Sequence, residues 1–169
     1  MCIGIIFASG LWALSLREPE ADTQTGGRYG QVQEAERLRL HPPVTGDIAG
    51  KYGQAEWLPA LGRWGAHEAV DFAAQKGDAV RAAKDGVVDA VYRDALLGGV
   101  VEVSHGDGLV TRYCALQWPP SIQKGGTVIS GQILGAVGET VMEASGVPHV
   151  HFEVWLHGMP VDPALYIEP

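Results

Sequence analysis

The stretch GVVDAVYRDALLGGVVEVSHGDGLVTRYCAL, residues 86–116, decides the fold. It holds three apolar runs, 86–93, 99–105 and 108–116, parted by turn chemistry. His105-Gly106-Asp107-Gly108 lies between the last two runs and is a strong hairpin signal. The pattern continues on both sides. Runs at 70–74, 79–82, 127–129, 133–137 and 150–156 predict further strands. Their breaks are Gln75-Lys76-Gly77-Asp78, Lys84-Asp85-Gly86, Lys124-Gly125-Gly126 and Leu156-His157-Gly158. From residue 70 onward only residues 139–146 suit a helical turn. The expectation is an all-β, mainly antiparallel architecture.

Upstream of these strands the character changes. Residues 2–16, CIGIIFASGLWALSL, carry no charge and are closed by Arg17-Glu18-Pro19-Glu20. A bilayer span needs about 20 apolar residues, so the run is short by itself. Neither a basic region before it nor a small-residue cleavage site after it marks a removable signal peptide. It reads as a single N-terminal membrane anchor over residues 1–16, with further residues expected ahead of this start. That places the rest of the chain outside the cytoplasmic membrane; the competing reading is a buried core segment. Residues 17–44 are polar and read as a tether, within which 31–40 (QVQEAERLRL) suits a short helix ending before Pro42-Pro43. No internal repeat of 20–50 residues is visible.

The whole chain has 169 residues, enough for one domain plus an appendage. Its 46% apolar and 19% charged residues fit a globular protein. The 23 glycines and 10 prolines are spread as punctuation between short strands. A formal charge of −8, with no Lys/Arg run, argues against nucleic acid as a partner. Of the two cysteines, Cys2 sits in the apolar N-terminal run and Cys114 in a strand, so no bridge between them is expected.

The candidate chemistry lies in four residues. His67 and Asp71 are four apart at the start of the first run. His149 and His151 are two apart on a strand, where side chains alternate, so both imidazoles point to one face. His67, Asp71 and His151 form a ligand set for zinc, and three protein ligands leave a fourth position open, as in catalytic sites. His67-Glu68 does not begin a His-Glu-x-x-His helix, because the fifth position is Asp71 and the run enters a strand. A His-x-His pair by itself is weak, being more often two ordinary strand residues.

The context strengthens it. The segments LGRWGAHEAVDFAAQKGDAVRAAKDGVV, GQILGAVGET and PHVHFEVWLHGMPVDPALYI resemble the lysostaphin/LytM family of peptidoglycan endopeptidases, in order, over residues 59–167. The resemblance implies a compact β-sandwich-type domain, residues 45–169, with a groove across one zinc ion. It further implies that His67, Asp71 and His151 are the metal ligands and that His149 is one of two catalytic histidines that do not bind the metal. Ala69 stands where the family carries glycine, a mild departure.

A second departure touches the chemistry. The family's other catalytic histidine belongs to a Tyr-x-His-Leu motif, and this chain reads Tyr113-Cys114-Ala115-Leu116. Alanine cannot carry a proton or stabilise an oxyanion, and loss of such a group costs about 10²–10⁴ in rate. His105 lies in a hairpin turn and is not expected to substitute. Glu153 is expected to orient a ligand, and His157 to be a solvated loop residue. The anchor, the retained motif around His67 and the altered Tyr113–Leu116 motif resemble the stage II sporulation protein Q (SpoIIQ) group. In that group of spore-forming bacteria the domain serves mainly as an interaction module for SpoIIIAH. Two functional readings result. One is a zinc-binding, catalytically impaired, membrane-anchored module outside the cytoplasm with a SpoIIIAH-like partner. The other is an active zinc endopeptidase cutting peptidoglycan cross-bridge peptides; a bare wall-peptide-binding module is a third, lesser reading.

Overall fold

The computed structural model describes residues 38–59, 61–138 and 148–168. Within them the chain forms β1 (Ile48–Gly50), β2 (Ala55–Leu58), β3 (Arg63–Ala66), β4 (Val70–Ala73), β5 (Ala79–Arg81), β6 (Gly86–Asp94), β7 (Gly98–Ser104), β8 (Leu109–Leu116), β9 (Thr127–Val128), β10 (Ile133–Ala136), β11 (His149–Leu156) and β12 (Met159–Val161). A single 3-10 turn, Pro163–Leu165, closes the body, capped by the Asp162 side chain. Among the described residues there is no α-helix, and no helix is long and apolar enough to cross a membrane. The expected anchor, most of the tether with its short helix, and the helical turn at 139–146 lie outside the described residues.

All eight strands expected from the sequence are present, each within one residue at either end. Four more were not legible as apolar runs. β2 and β3 are a hairpin whose register sets Trp57 opposite Trp64, the two indoles meeting edge to face at 6.0 Å. This cross-strand pair, rather than alternation, holds the hairpin. β12 follows a two-residue turn in which His157 and Gly158 both have positive φ, 51° and 79°, the requirement of a hairpin turn matched to strand twist. β1 is a three-residue edge strand on β4.

Eight strands make one antiparallel sheet in the order β1-β4-β11-β8-β7-β6-β9, with β12 added to β11. Strand alternation sorts its faces. Val70 and Phe72 of β4, Val150, Phe152 and Val154 of β11, and Val101 and Val103 of β7 point into the core. The two-stranded β5–β10 sheet covers that face with Val80 and Leu134. The opposite face carries Asp71, His149, His151 and Glu153 at the intervening positions. The segment read as tether contributes to the same core: Leu40 is fully buried, pairs with Ile167 in a parallel bridge, and is joined by Val44. Its polar neighbours had concealed these two anchoring side chains.

A chain of polar groups runs through the core. Tyr113 Oη accepts from the Ala83 amide at 2.7 Å and lies 2.9 Å from Thr111 Oγ1, which lies 2.7 Å from His105 Nε2. Burial raises the Tyr113 pKa to about 12, so the hydroxyl stays protonated.

Candidate metal centre

β11 lies between β4 and β8, with His151 opposite Asp71 on one side and opposite Cys114 on the other. His67 comes from the segment between β3 and β4, and its backbone pairs with Gly53 and Gln54. Three elements therefore converge on one point. His67 Nε2 is 3.1 Å from Asp71 Oδ1 and 3.3 Å from His151 Nδ1, and Asp71 Oδ1 is 3.2 Å from His151 Nδ1. All three residues are buried. A tetrahedral ion with bonds of about 2.0–2.1 Å has edges of roughly 3.3 Å, so this triangle matches one face of such a shell in size.

The outer nitrogens fix the tautomers. His67 Nδ1 is 3.1 Å from the Lys51 carbonyl, which can only accept, so Nδ1 carries the proton and the Nε2 lone pair faces inward. His151 Nε2 is 3.5 Å from Glu153 Oε1, which leaves the Nδ1 lone pair facing inward too. Burial opposes a charge on His67, but the hydrogen bond and charge of Asp71 outweigh it and raise the imidazole's pKa. Burial likewise pushes Asp71 up, yet hydrogen bonds from His151 and His67, with their charges, hold it well below the usual carboxylate range. Two lone pairs and a carboxylate aimed at one point suit a divalent cation. The residues fit one zinc ion.

Gly50 of β1 belongs to this geometry. A Cβ there would run into Asp71 Oδ2 and lie 3.0 Å from its Cγ, so a side chain at this position would displace a ligand. Ala69, where a glycine was expected, is accommodated in full burial. His149 sits beside the triangle rather than in it: its Nε2 is 4.0 Å from Asp71 Oδ1, and it shares the buried face of β11 with His151.

Ala115 is buried and has φ 61°. The register between β7 and β8 slips here, Gly99 pairing with Leu116 but Val101 with Tyr113, so Cys114 and Ala115 together oppose Val100. The bulge is held by the Ala115 amide donating to the Leu97 carbonyl at 2.7 Å and its carbonyl accepting from Gly138 at 2.6 Å. All six histidines of the chain are among the described residues, and three lie outside the site. His105 bonds the Asp85 carbonyl and Thr111, His41 pairs with Glu168, and His157 is exposed in the β11–β12 turn. Sequence reading missed Lys51, Gly50 and the Arg112 pairing described below. Gly50 and Arg112 meet the site through strand register and Lys51 through the loop after β1, which no local pattern announces.

Comparison with known proteins agrees with this geometry. The sequence profile of peptidase family M23 matches residues 65–163. DD-carboxypeptidase/endopeptidase Mpg of Neisseria meningitidis serogroup B is 34% identical over 132 residues, 78% of this chain and 30% of that protein. Stage II sporulation protein Q of Bacillus subtilis is 35% identical over 89 residues, 53% of this chain and 31% of that protein. The chain thus spans about a third of the length of these relatives. A zinc-containing peptidase from Vibrio cholerae superposes with a TM-score of 0.64 at 30% identity, covering 73% of this chain and 39% of that one. A chain from the SpoIIIAH and SpoIIQ complex superposes with a TM-score of 0.66 at 26% identity, covering 75% of this chain and 98% of that one. With its ligand triangle, its sheet and its sequence in agreement, the chain belongs to peptidase family M23.

Proposed function

We propose that this chain is a zinc-binding M23 domain, impaired as a peptidase, that works as an interaction module outside the cytoplasmic membrane. The observation that carries the reading is Ala115: a buried alanine at the position of a catalytic histidine, with all six imidazoles of the chain placed at other positions. When bound, zinc supplies Lewis-acid polarisation of a carbonyl. His67, Asp71 and His151 hold it, and Glu153 and the Lys51 carbonyl fix the ligating tautomers. His149 can present a proton at Nε2 beside the site and hydrogen-bond a developing oxyanion. Nothing at position 115 does so from the other side, and the loss of such a group costs about 10²–10⁴ in rate.

The membrane anchor over residues 1–16 and the tether after it belong to the same proposal. So does a SpoIIIAH-like partner, which the similarity to the SpoIIIAH–SpoIIQ complex supports. The complete ligand triangle with His149 beside it favours a second reading, a slow endopeptidase acting on peptidoglycan cross-bridge peptides, in line with relatives such as Mpg.

Digestion of purified peptidoglycan by the zinc-loaded protein separates the two, with His151→Ala as the control. No zinc-dependent release of amino termini is expected from the wild type, and a gain is expected from Ala115→His. Release by the wild type would make the chain an enzyme. Sedimentation with a SpoIIIAH-like protein tests the partner, and complete absence of association would remove that part of the proposal.

A further inference from the structure

On the metal face of the sheet, two rows of side chains cross the strands side by side. One is Asp71, His151 and Cys114; the next is Glu153, Arg112 and Glu102, in direct register on β11, β8 and β7. In the second row Arg112 sits between two carboxylates. Its Nε donates to Glu102 Oε1 at 2.8 Å, and a terminal nitrogen donates to Glu153 Oε2 at 2.9 Å. Its guanidinium lies 4.9 Å from the centre of the Trp155 ring, and the Trp155 indole N–H donates to Glu153 Oε2 at 2.6 Å. Tyr92 donates to Glu102 Oε1 at 2.9 Å, bracing the far end. One oxygen of Glu153 therefore has two donors, and the other is turned toward His151 Nε2, 3.5 Å away at the long end of hydrogen-bond reach.

We propose that Arg112 is a positioning residue for the metal centre: by clamping Glu153 it holds the His151 imidazole with Nδ1 facing His67 and Asp71. The proposal rests on the cluster being a metal site, and extends it two strands outward. A carboxylate attached to the ligand alone could rotate away. Held at Oε2 by Arg112 and Trp155, it cannot turn without breaking two hydrogen bonds. Glu102 holds the guanidinium from the opposite side, and the planar fork is needed because two bonds run to two different carboxylates while the plane rests near an indole. A lysine ammonium supplies the charge without that directionality. Partners of this kind outside the ligand shell typically change metal affinity by about 10–100-fold.

The test measures the zinc dissociation constant of the full chain by competition with a chromogenic chelator, alongside urea unfolding of the metal-free protein. Arg112→Met is expected to weaken zinc binding by about 10–100-fold. Arg112→Lys should recover only part of that loss. Combined with Glu153→Ala, Arg112→Met should add nothing, because its effect passes through Glu153. Trp155→Phe keeps both ion pairs and removes one donor to Glu153; it should weaken zinc binding to a smaller extent, and it carries the test if Arg112→Met does not fold. Wild-type affinity in Arg112→Met or in Trp155→Phe overturns the proposal. So do losses that multiply in the double variant, and so does a loss fully accounted for by lower metal-free stability. A wild type that binds no more zinc than His67→Ala would instead overturn the reading of the cluster as a metal site.

Discussion

On the proposed reading, residue 115 is where this chain parts from the chemistry of its fold. Its left-handed backbone is uncommon for a non-glycine residue, although histidine is among the types enriched there. The bulge therefore has a backbone conformation that would admit an imidazole at this position. A β-branched residue does not suit it: Ala115→Val should lower stability by about 2–3 kcal/mol, from strain and overpacking together, as measured by urea unfolding. Ala115→His should keep a cooperative transition. A second prediction at this scale concerns His67. Its pKa is raised above the ordinary value of 6.5, so in the metal-free protein the stabilisation from its pairing with Asp71 is full below 6.5 and is lost as pH rises through the raised value. Zinc must displace that proton. Its affinity should fall by about tenfold per pH unit on acidification through the raised pKa, with proton release on binding by calorimetry. A pH-independent affinity would contradict the assigned tautomers and the paired proton.

Among the elements, the central strand β11 carries the site, because its alternation sends Val150, Phe152 and Val154 inward and His149, His151 and Glu153 outward. That division was legible in the sequence HVHFEV, and the hairpins of β6–β8 were legible in their glycine turns. The β2–β3 hairpin was not, since four-residue strands held by a tryptophan pair leave no periodic run. Nor was the contribution of residues 38–44, where Leu38, Leu40 and Val44 are spaced without a strand-like run. Leu40 is nonetheless fully buried, and Leu40→Ala should cost about 2–5 kcal/mol in urea unfolding. A cost under about 0.5 kcal/mol, as for an exposed position, would mean that the segment is only a tether.

Over the whole molecule, the candidate ligands come from parts that are far apart in sequence, and a bound metal would join them: His67 ahead of β4, Asp71 within it and His151 near the far end of the chain. An ion bound only by the folded state stabilises by about 2.7 kcal/mol at a hundredfold excess over its dissociation constant. For a chain of this size that corresponds to roughly 5–10 °C in Tm. Scanning calorimetry with and without a chelator should show a shift of that order in the wild type and none in His151→Ala. An unchanged wild-type Tm would remove the structural role of zinc while leaving the family assignment untouched.

The sequence by itself determined six of the central sheet's eight strands, the candidate ligand types and the absence of a histidine at position 115. These depend on local pattern: period-two alternation, turn glycines and the identity of single residues. Tertiary structure alone decided that His67 Nε2, Asp71 Oδ1 and His151 Nδ1 form a triangle with edges of 3.1–3.3 Å, that Gly50 leaves room for Asp71, and that Arg112 reaches Glu153. The physical reason is register. Which residues face one another across strands distant in the chain is set by how the whole sheet packs its apolar face, and a shift of one position in β4, β8 or β11 would send Asp71, Arg112 or His151 and Glu153 to the other side.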